Sequence, residues 1–230
     1  MRIADPFFLA QRALRKEVAR MAAQTTGSVV DVGCGMAPYR DLFQHAQYLG
    51  IDRIVGSRFG SARAGADVFY DGKHLPLATE SIDNLLCNQV LEHVFEPVAF
   101  LSELHRVLRP GGRLMVTAPF VWDEHEQPYD YARYSSFGLR YLASKCGFEV
   151  VDARRTLPDA SLFAQLWLAY CFKVMRLKGG GGIYGKLFMA ALSIPVNIAG
   201  MMLAHLLPSN EDLYLDNAMV LIRMPEGKPQ

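Results

Sequence analysis

Charge of one sign is missing from this chain: 24 lysines and arginines stand against 23 aspartates and glutamates, a formal net charge of +1. That balance excludes a strongly basic nucleic-acid binder and an acidic solvating tail. Charge of either sign is sparse, at 20% against 51% hydrophobic residues, which excludes global disorder. Cysteine is scarce as well. Cys34, Cys87, Cys146 and Cys171 show no C-x-x-C or other zinc-ligand spacing, so they read as buried, reduced thiols of a cytosolic protein. The opening Met1-Arg2-Ile3-Ala4-Asp5-Pro6 has no apolar signal-peptide core, so secretion is not expected. A length of 230 residues can bury a core without disulfide or zinc staples, and fits one domain, or one domain with a substantial insertion.

What is present alternates. Phe8, Leu9, Ala13, Leu14, Val18 and Met21 recur near helical spacing, which predicts an amphipathic helix over Phe7–Ala23. Short apolar runs at Ser28–Val32, Tyr48–Asp52, Ser81–Asn88, Arg113–Ala118 and Phe148–Ala153 read as strands, the fourth after a Pro110-Gly111-Gly112 turn. Between them, Pro38–His45, Pro97–Leu108 and Ser136–Cys146 read as helices, the last closed by Gly147. Strands alternating with helices predict a doubly wound α/β domain whose parallel sheet is covered on both faces. In such a sheet ligands sit outside the carboxyl ends of the strands.

Four strand exits carry chemistry. At the first, Asp31-Val32-Gly33-Cys34-Gly35 offers a tight turn that lets backbone approach a ligand. Pro38 stands where a dinucleotide fingerprint would need a third glycine, and no lysine follows as in a phosphate-binding P-loop. The second exit is Gly50-Ile51-Asp52, whose carboxylate, 19 residues after Gly33, is placed to accept from both hydroxyls of a ribose. Asp71-Gly72 forms the third. The fourth is Cys87-Asn88-Gln89-Val90-Leu91-Glu92-His93-Val94, where strand passes into helix.

These segments, with Leu75-Pro76, Ser81-Ile82-Asp83 and Arg106-Val107-Leu108-Arg109-Pro110-Gly111-Gly112, occur in an order that resembles the class I S-adenosylmethionine-dependent methyltransferases, over about Val29–Val151. The resemblance implies the Rossmann-like sheet of that class and S-adenosylmethionine as cofactor. Asp31, Gly33 and Gly35 would surround its methionine end, the glycines because a Cβ would collide with it. Asp52 would hold the ribose, Asp71 and Gly72 the adenine edge, and Asn88 and Gln89 would lie beneath the sulfonium. Pro38-Tyr39-Arg40 and the run from His125 to Tyr134 are similar to a bacterial subgroup associated with cell-surface polysaccharide or glycolipid biosynthesis.

An oxygen nucleophile of high pKa wants a base within hydrogen-bond reach. His125, just beyond the fifth strand, is the candidate catalytic base. Glu126, Tyr129, Asp130, Arg133 and Tyr134 are candidate acceptor-binding residues, a mixture suited to a polar, sugar-like molecule. The same residues also read as an internal polar clasp that shapes the loop. Glu92, His93 and His125 suggest a divalent-ion site similar to one in ubiquinone-pathway and small-RNA methyltransferases. Gln89 stands at the first ligand position of that pattern and is a poor anionic ligand, so no metal is expected.

One stretch departs from the rest. The class places its sixth and seventh strands as an antiparallel pair, yet more than 60 residues separate Phe148–Ala153 from the apolar run Asn217–Met224. Leu187–Leu207 is an uncharged run of 21, and its partner Ala160–Phe172 has 13 uncharged residues. Thirteen helical residues reach only about 20 Å against a hydrocarbon core of about 30 Å, so a paired crossing is not expected. Lys173, Arg176, Lys178 and Lys186 flank a bend at Gly179–Gly182. Helices lying in a membrane surface fit this pattern; a lid or a homodimer interface is the alternative. The expected organisation is an N-terminal helix (1–27), a cofactor-binding core (28–157), an apolar helical insertion (158–216), and a last strand with tail (217–230). The expected function is O-methylation of a small, sugar-like or lipid-linked acceptor by a cytoplasmic enzyme with peripheral contact at the inner face of the membrane. A membrane-docked cofactor-binding protein without turnover is the second reading.

Overall fold

The computed structural model describes residues 1–53, 65–177 and 182–225. Most of the glycine bend expected at Gly179–Gly182, with Lys178, lies outside them. The chain forms two compact units, one of Met1–Lys16 with Arg155–Asp216, the other of Glu17–Arg154 with the chain from Asn217 onward.

The larger unit is built on a seven-stranded sheet. Its strands are β1 (Gly27–Val32), β2 (Ala46–Arg53), β3 (Val68–Tyr70), β4 (Ile82–Asn88), β5 (Leu108–Pro119), β6 (Phe148–Arg155) and β7 (Asp216–Arg223), in the order β3-β2-β1-β4-β5-β7-β6. β1 to β5 pair in parallel. At the far edge the Met224 N–H donates to the Gly147 carbonyl and the Thr156 N–H to the Asp216 carbonyl, so β6 and β7 run antiparallel. Successive side chains of the central strands face opposite ways. Val30, Val32, Leu85, Cys87, Leu114 and Val116 pack under α2 (Pro97–Val107) and α3 (Ser136–Lys145). Val29, Leu86 and Met115 meet Val18, Met21 and Ala22 of α1 (Phe8–Ala22) on the other face. Both faces are dry, which is why these strands read as continuous apolar runs.

Local signals account for several boundaries. Ser135 caps α3 by accepting from the Gly138 N–H, and Gly147, at φ 80°, ends its last turn. Pro97 opens α2 at a position whose N–H would have no partner. Three expectations need correction. Only Arg40–Leu42 of the helix expected at Pro38–His45 is helical, as one 3₁₀ turn. Tyr39 provides no side-chain cap, Phe43 turns into the core, and β2 begins at Ala46. The Pro110-Gly111-Gly112 turn is not a link before the fifth strand but a bulge within it, because Leu108 pairs with Ile82 and Arg113 already pairs with Asn84. Likewise the fourth exit passes first into a 3₁₀ turn, Leu91–His93, before α2.

The smaller unit contains α4 (Ser161–Leu177) and α5 (Ile183–Leu206), packed on each other, with the first half of α1. Its two ends are tied together. Thr156 and Asp216 are both buried: the Thr156 N–H donates to the Asp216 carbonyl at 2.9 Å, the Asp216 N–H to the Thr156 hydroxyl oxygen at 2.9 Å, and that hydroxyl to Asp216 Oδ2 at 2.7 Å. Closing a long excursion this way costs little more than closing a short one, since loop entropy grows only slowly with length.

Candidate functional site

Four parallel strand exits stand side by side at the carboxyl edge of the sheet, and they carry the residues singled out above. The β1 exit is the glycine loop. Gly33 and Gly35 have φ of 77° and 53°, and the N–H groups of Gly33 and Cys34 both donate to the Ile51 carbonyl, at 2.8 and 3.2 Å. The two glycines have different reasons. A Cβ on Gly33 would lie 2.5 Å from Val90 Cγ2, so this chain's own packing forbids it, where the sequence suggested a collision with cofactor. A Cβ on Gly35 would meet nothing within 4 Å and would project into open space. Gly33→Ala should therefore cost about 1–3 kcal/mol of stability beyond Gly35→Ala, which bears only the backbone strain. Urea melts of the two variants check this; equal stabilities would remove Val90 from the account.

The β2 exit supports that loop. Asp52, half-buried, accepts from the Gly35 N–H at 3.1 Å through Oδ2 and from the Arg53 N–H at 2.7 Å through Oδ1. Asp31 is 2% exposed and accepts from the Tyr48 hydroxyl at 2.5 Å. Burial raises its carboxyl to about 6, against the opposing pull of that hydrogen bond. Arg40 lies over the Tyr48 ring, 4.6 Å from its centroid, and donates to Asp67 Oδ2 at 2.7 Å; the same oxygen accepts from the Gly50 N–H at 2.7 Å. Tyr48 and Asp67 were not singled out from sequence, and Arg40 only as part of Pro38-Tyr39-Arg40. Cys34, in the glycine loop, has its thiol pushed up to about 12 by burial and by Asp31, Asp52 and Asp67, so it is not a nucleophile near neutral pH. At the β3 exit, Asp71 is exposed, and its Oδ1 accepts from the N–H groups of Lys73 and His74 at 2.7 and 2.8 Å, which hold its carboxyl below the usual range. Gly72, at φ 86°, leaves room for the Arg53 side chain.

At the β4 and β5 exits, one residue organises two others. Thr117, fully buried, donates its hydroxyl to Asn88 Oδ1 at 2.8 Å and accepts from the Gln89 N–H at 3.1 Å and from Gln89 Nε2 at 3.3 Å. Gln89 itself sits at φ 54°, a conformation a non-glycine residue holds only where its surroundings impose it. Sequence reasoning missed Thr117; its signal is a hydroxyl at the end of an otherwise apolar strand.

Beyond β5 the loop carrying His125 is tied internally. Arg133 binds Asp130 through both ends of its guanidinium, at 2.6 and 2.7 Å, and donates also to the carbonyls of Trp122, Asp123 and Ala132. Burial raises the Asp130 carboxyl, but Arg133 and the His125 N–H outweigh it and bring it down to about 2. His125 Nδ1 lies 3.2 Å from Asp130 Oδ2, 3.2 Å from the Asp123 carbonyl and 3.5 Å from Arg133 Nη2; the two nearer neighbours are acceptors, which favour the tautomer with its proton on Nδ1. His93 is similarly fixed, its Nδ1 donating to the Tyr129 carbonyl at 2.7 Å. The His93 and His125 rings meet edge to face at 4.8 Å, and with buried Glu92 their ligand atoms lie within 4.8 Å of one another, a set able to hold a metal ion. Glu126 is exposed, with Oε2 4.0 Å from His93 Nε2, and the Tyr129 ring is exposed. Tyr134 is half-buried against the core, and its carbonyl accepts from Asn217 Nδ2 at 2.7 Å.

Residues 30–116 match the family model described as a methyltransferase domain. Over these residues the chain is similar to that methyltransferase domain. It is 28% identical over 159 residues to a "Probable S-adenosylmethionine-dependent methyltransferase" of Mycolicibacterium smegmatis, an alignment taking in 62% of this chain and 60% of that one. The chain spans about half the length of the curated relatives it matches. Among solved structures the fold is shared with the [4+2]-cyclase SpnF, at TM-score 0.60 and 21% identity over 92% of this chain and 80% of that one. It is shared also with the Burkholderia thailandensis 1,6-didemethyltoxoflavin-N1-methyltransferase, solved with bound 1,6-didemethyltoxoflavin and S-adenosylhomocysteine, at TM-score 0.56 and 19% identity over 93% and 79%. The matched segment contains the exits of β1 to β4 and ends within β5, one residue before Thr117.

Proposed function

We propose that this protein methylates an oxygen of a small, sugar-like or lipid-linked acceptor, with S-adenosylmethionine as donor. The observation that carries the reading is the convergence of the Gly33–Gly35 loop, Asp52, and the Thr117-held pair Asn88 and Gln89 at adjacent strand exits. These residues fit the cofactor. Gly35 leaves open the space a side chain would fill, Asp52 ends β2 with a carboxylate, and Asp31 is a buried acceptor beside the loop. Asp52 would hold the ribose, Asp31 the amino group, Asp71 and Gly72 the adenine edge, and Asn88 and Gln89 the region of the sulfonium. Bound there, the cofactor supplies a methyl group already activated on a sulfonium, so positioning accounts for much of the rate.

His125 is the base that takes the acceptor's hydroxyl proton, at Nε2. Asp130 fixes its tautomer and supports the imidazolium, and Arg133 keeps Asp130 ionised and in place, the arrangement familiar from carboxylate-oriented catalytic histidines. Asp130 and Arg133 therefore act through the loop rather than on the acceptor, and Tyr134 through the core. Exposed Glu126 and Tyr129 are left to meet the acceptor. A cytoplasmic enzyme in contact with a membrane, modifying a glycolipid or polysaccharide precursor, fits this set.

The test is transfer of label from methyl-labelled S-adenosylmethionine into lysate and glycolipid fractions. Counts extracted into organic solvent are expected. Counts confined to the aqueous phase would replace the lipid-linked acceptor by a soluble one. No counts, from protein that still binds S-adenosylhomocysteine, would mean a cofactor-binding protein without methyl transfer.

A further inference from the structure

We infer that the smaller unit docks on an anionic lipid surface, its cationic cavity seating lipid phosphates and its apolar helix faces lying among the acyl chains. The inference rests on the membrane half of the reading above; its failure would leave methyl transfer standing.

One side of α4 and α5 is already engaged. Asn197 donates to the carbonyls of Ile3 and Asp5 at 2.8 and 3.1 Å, Gln165 accepts from the Ala10 N–H at 2.9 Å, and a Cβ on Gly200 would lie 2.7 Å from Ala164. The opposite side is not. α5 has a mean hydropathy of 1.9 over its most apolar 18 residues, yet only 22% of them are buried. Phe163, Trp167 and Tyr170 of α4 and Tyr184, Leu187 and Phe188 of α5 all present large exposed rings or aliphatic groups. Trp167 and Tyr170 stack at 5.8 Å, amphipathic rings of the kind that settle at a membrane–water boundary.

Charge selects the occupant. Where α4 ends and α5 begins, a cavity of about 770 Å³ has Phe172, Met175 and Met189 in its lining together with Arg2, Arg176 and Lys186. Among the described residues none of these three cations has an ion-pair partner. The one acid in the lining, Asp5, has its Oδ1 taken by the Phe7 N–H at 2.7 Å. An apolar floor with unpaired cations beside it matches a phosphate group above acyl chains. A second copy of the chain fits less well, because a two-fold contact centred on this cavity would bring two sets of the same unpaired cations together.

The helices lie in the surface and do not cross it. α5 has 24 residues, about 36 Å at 1.5 Å per residue, enough for a hydrocarbon core of about 30 Å. But the Arg12 guanidinium donates to Met201 Sδ at 2.9 Å, and Asn197 is fastened to the chain at Asp5. A spanning α5 would draw Arg12 and Asp5 into hydrocarbon.

The test is co-sedimentation of the full chain with vesicles of phosphatidylcholine alone or with roughly 30 mol% phosphatidylglycerol, at physiological ionic strength. Each cation near an anionic surface strengthens binding roughly fivefold, so the mixed vesicles should bind at least roughly tenfold more tightly, and high salt should weaken but not abolish the contact. Arg176→Glu with Lys186→Glu should remove the preference for anionic vesicles. Leu187→Ser with Phe188→Ser should weaken binding to both compositions. Both variants should keep the wild-type thermal shift with S-adenosylhomocysteine, which shows them folded. Equal binding of the wild-type protein to the two vesicle types would overturn the phosphate assignment without any variant. No binding to either, with a dimer in sedimentation velocity that Leu187→Ser and Phe188→Ser dissociate, would make the face an interface between copies.

Discussion

Asp52→Ala should bind S-adenosylhomocysteine roughly 100-fold more weakly than the wild type, or worse. Two hydrogen bonds from ribose hydroxyls to a carboxylate would be lost, and bonds to charged groups contribute about 1.5–3 kcal/mol each, against about 1.4 kcal/mol per tenfold in affinity. The same difference should be visible in melting. At a ligand concentration of about 100 times Kd, the wild type gains about 2.7 kcal/mol, which for a chain of this size is about 5–10 °C. The variant should gain almost nothing. Because Asp52 also accepts from the Gly35 N–H, the alanine variant loses a support of the glycine loop. Asp52→Asn keeps an oxygen for that N–H, so weak binding with unchanged intrinsic stability would separate the two roles. An undiminished thermal shift in both variants would remove Asp52 from the cofactor site.

His125→Ala should leave S-adenosylhomocysteine binding near normal and lower the methyl-transfer rate by roughly 10²–10⁴. The expectation follows from the geometry around the ring. Nδ1 faces the Asp130 carboxylate and the Asp123 carbonyl, and Asp130 is held by both ends of the Arg133 guanidinium. A histidine so oriented loses little by waiting for a proton at Nε2, and the imidazolium that forms has a carboxylate beside it. Arg133→Lys should lower the rate with little change in KM for the donor, because lysine cannot make the two-pronged contact that keeps Asp130 in place. Full activity in His125→Ala would reduce the histidine to a part of the loop.

The parts of this site that the sequence displayed are those whose logic runs along the chain. A glycine pair closing one strand, a carboxylate closing the next, and a glycine ending α3 are local signals, and each lies where its spacing indicates. What was hidden depends on partners brought together by the sheet. Val90 explains Gly33 only because β4 lies beside β1, and Thr117 reaches Asn88 and Gln89 only because β5 lies beside β4. Tyr48 lies 17 residues from the Asp31 it binds. The short turn at Arg40–Leu42 was hidden for another reason. Its composition allows a helix, and the competing burial of Phe43 ends it. The role of the first residues was equally out of reach, since Ile3 and Asp5 meet Asn197 across more than 190 positions. The apolar insertion, in contrast, was plain from composition alone.

The central claim is that the exits of β1, β2, β4 and β5 form one S-adenosylmethionine site. A crystal structure of the protein grown with S-adenosylhomocysteine tests it most directly. The account predicts ribose hydroxyls on the Asp52 carboxylate, the methionine portion along the Gly33–Gly35 loop, and the sulfur near Asn88 and Gln89. Ligand density at any other edge of the sheet, or none in a protein whose melting temperature also ignores the ligand, would contradict it.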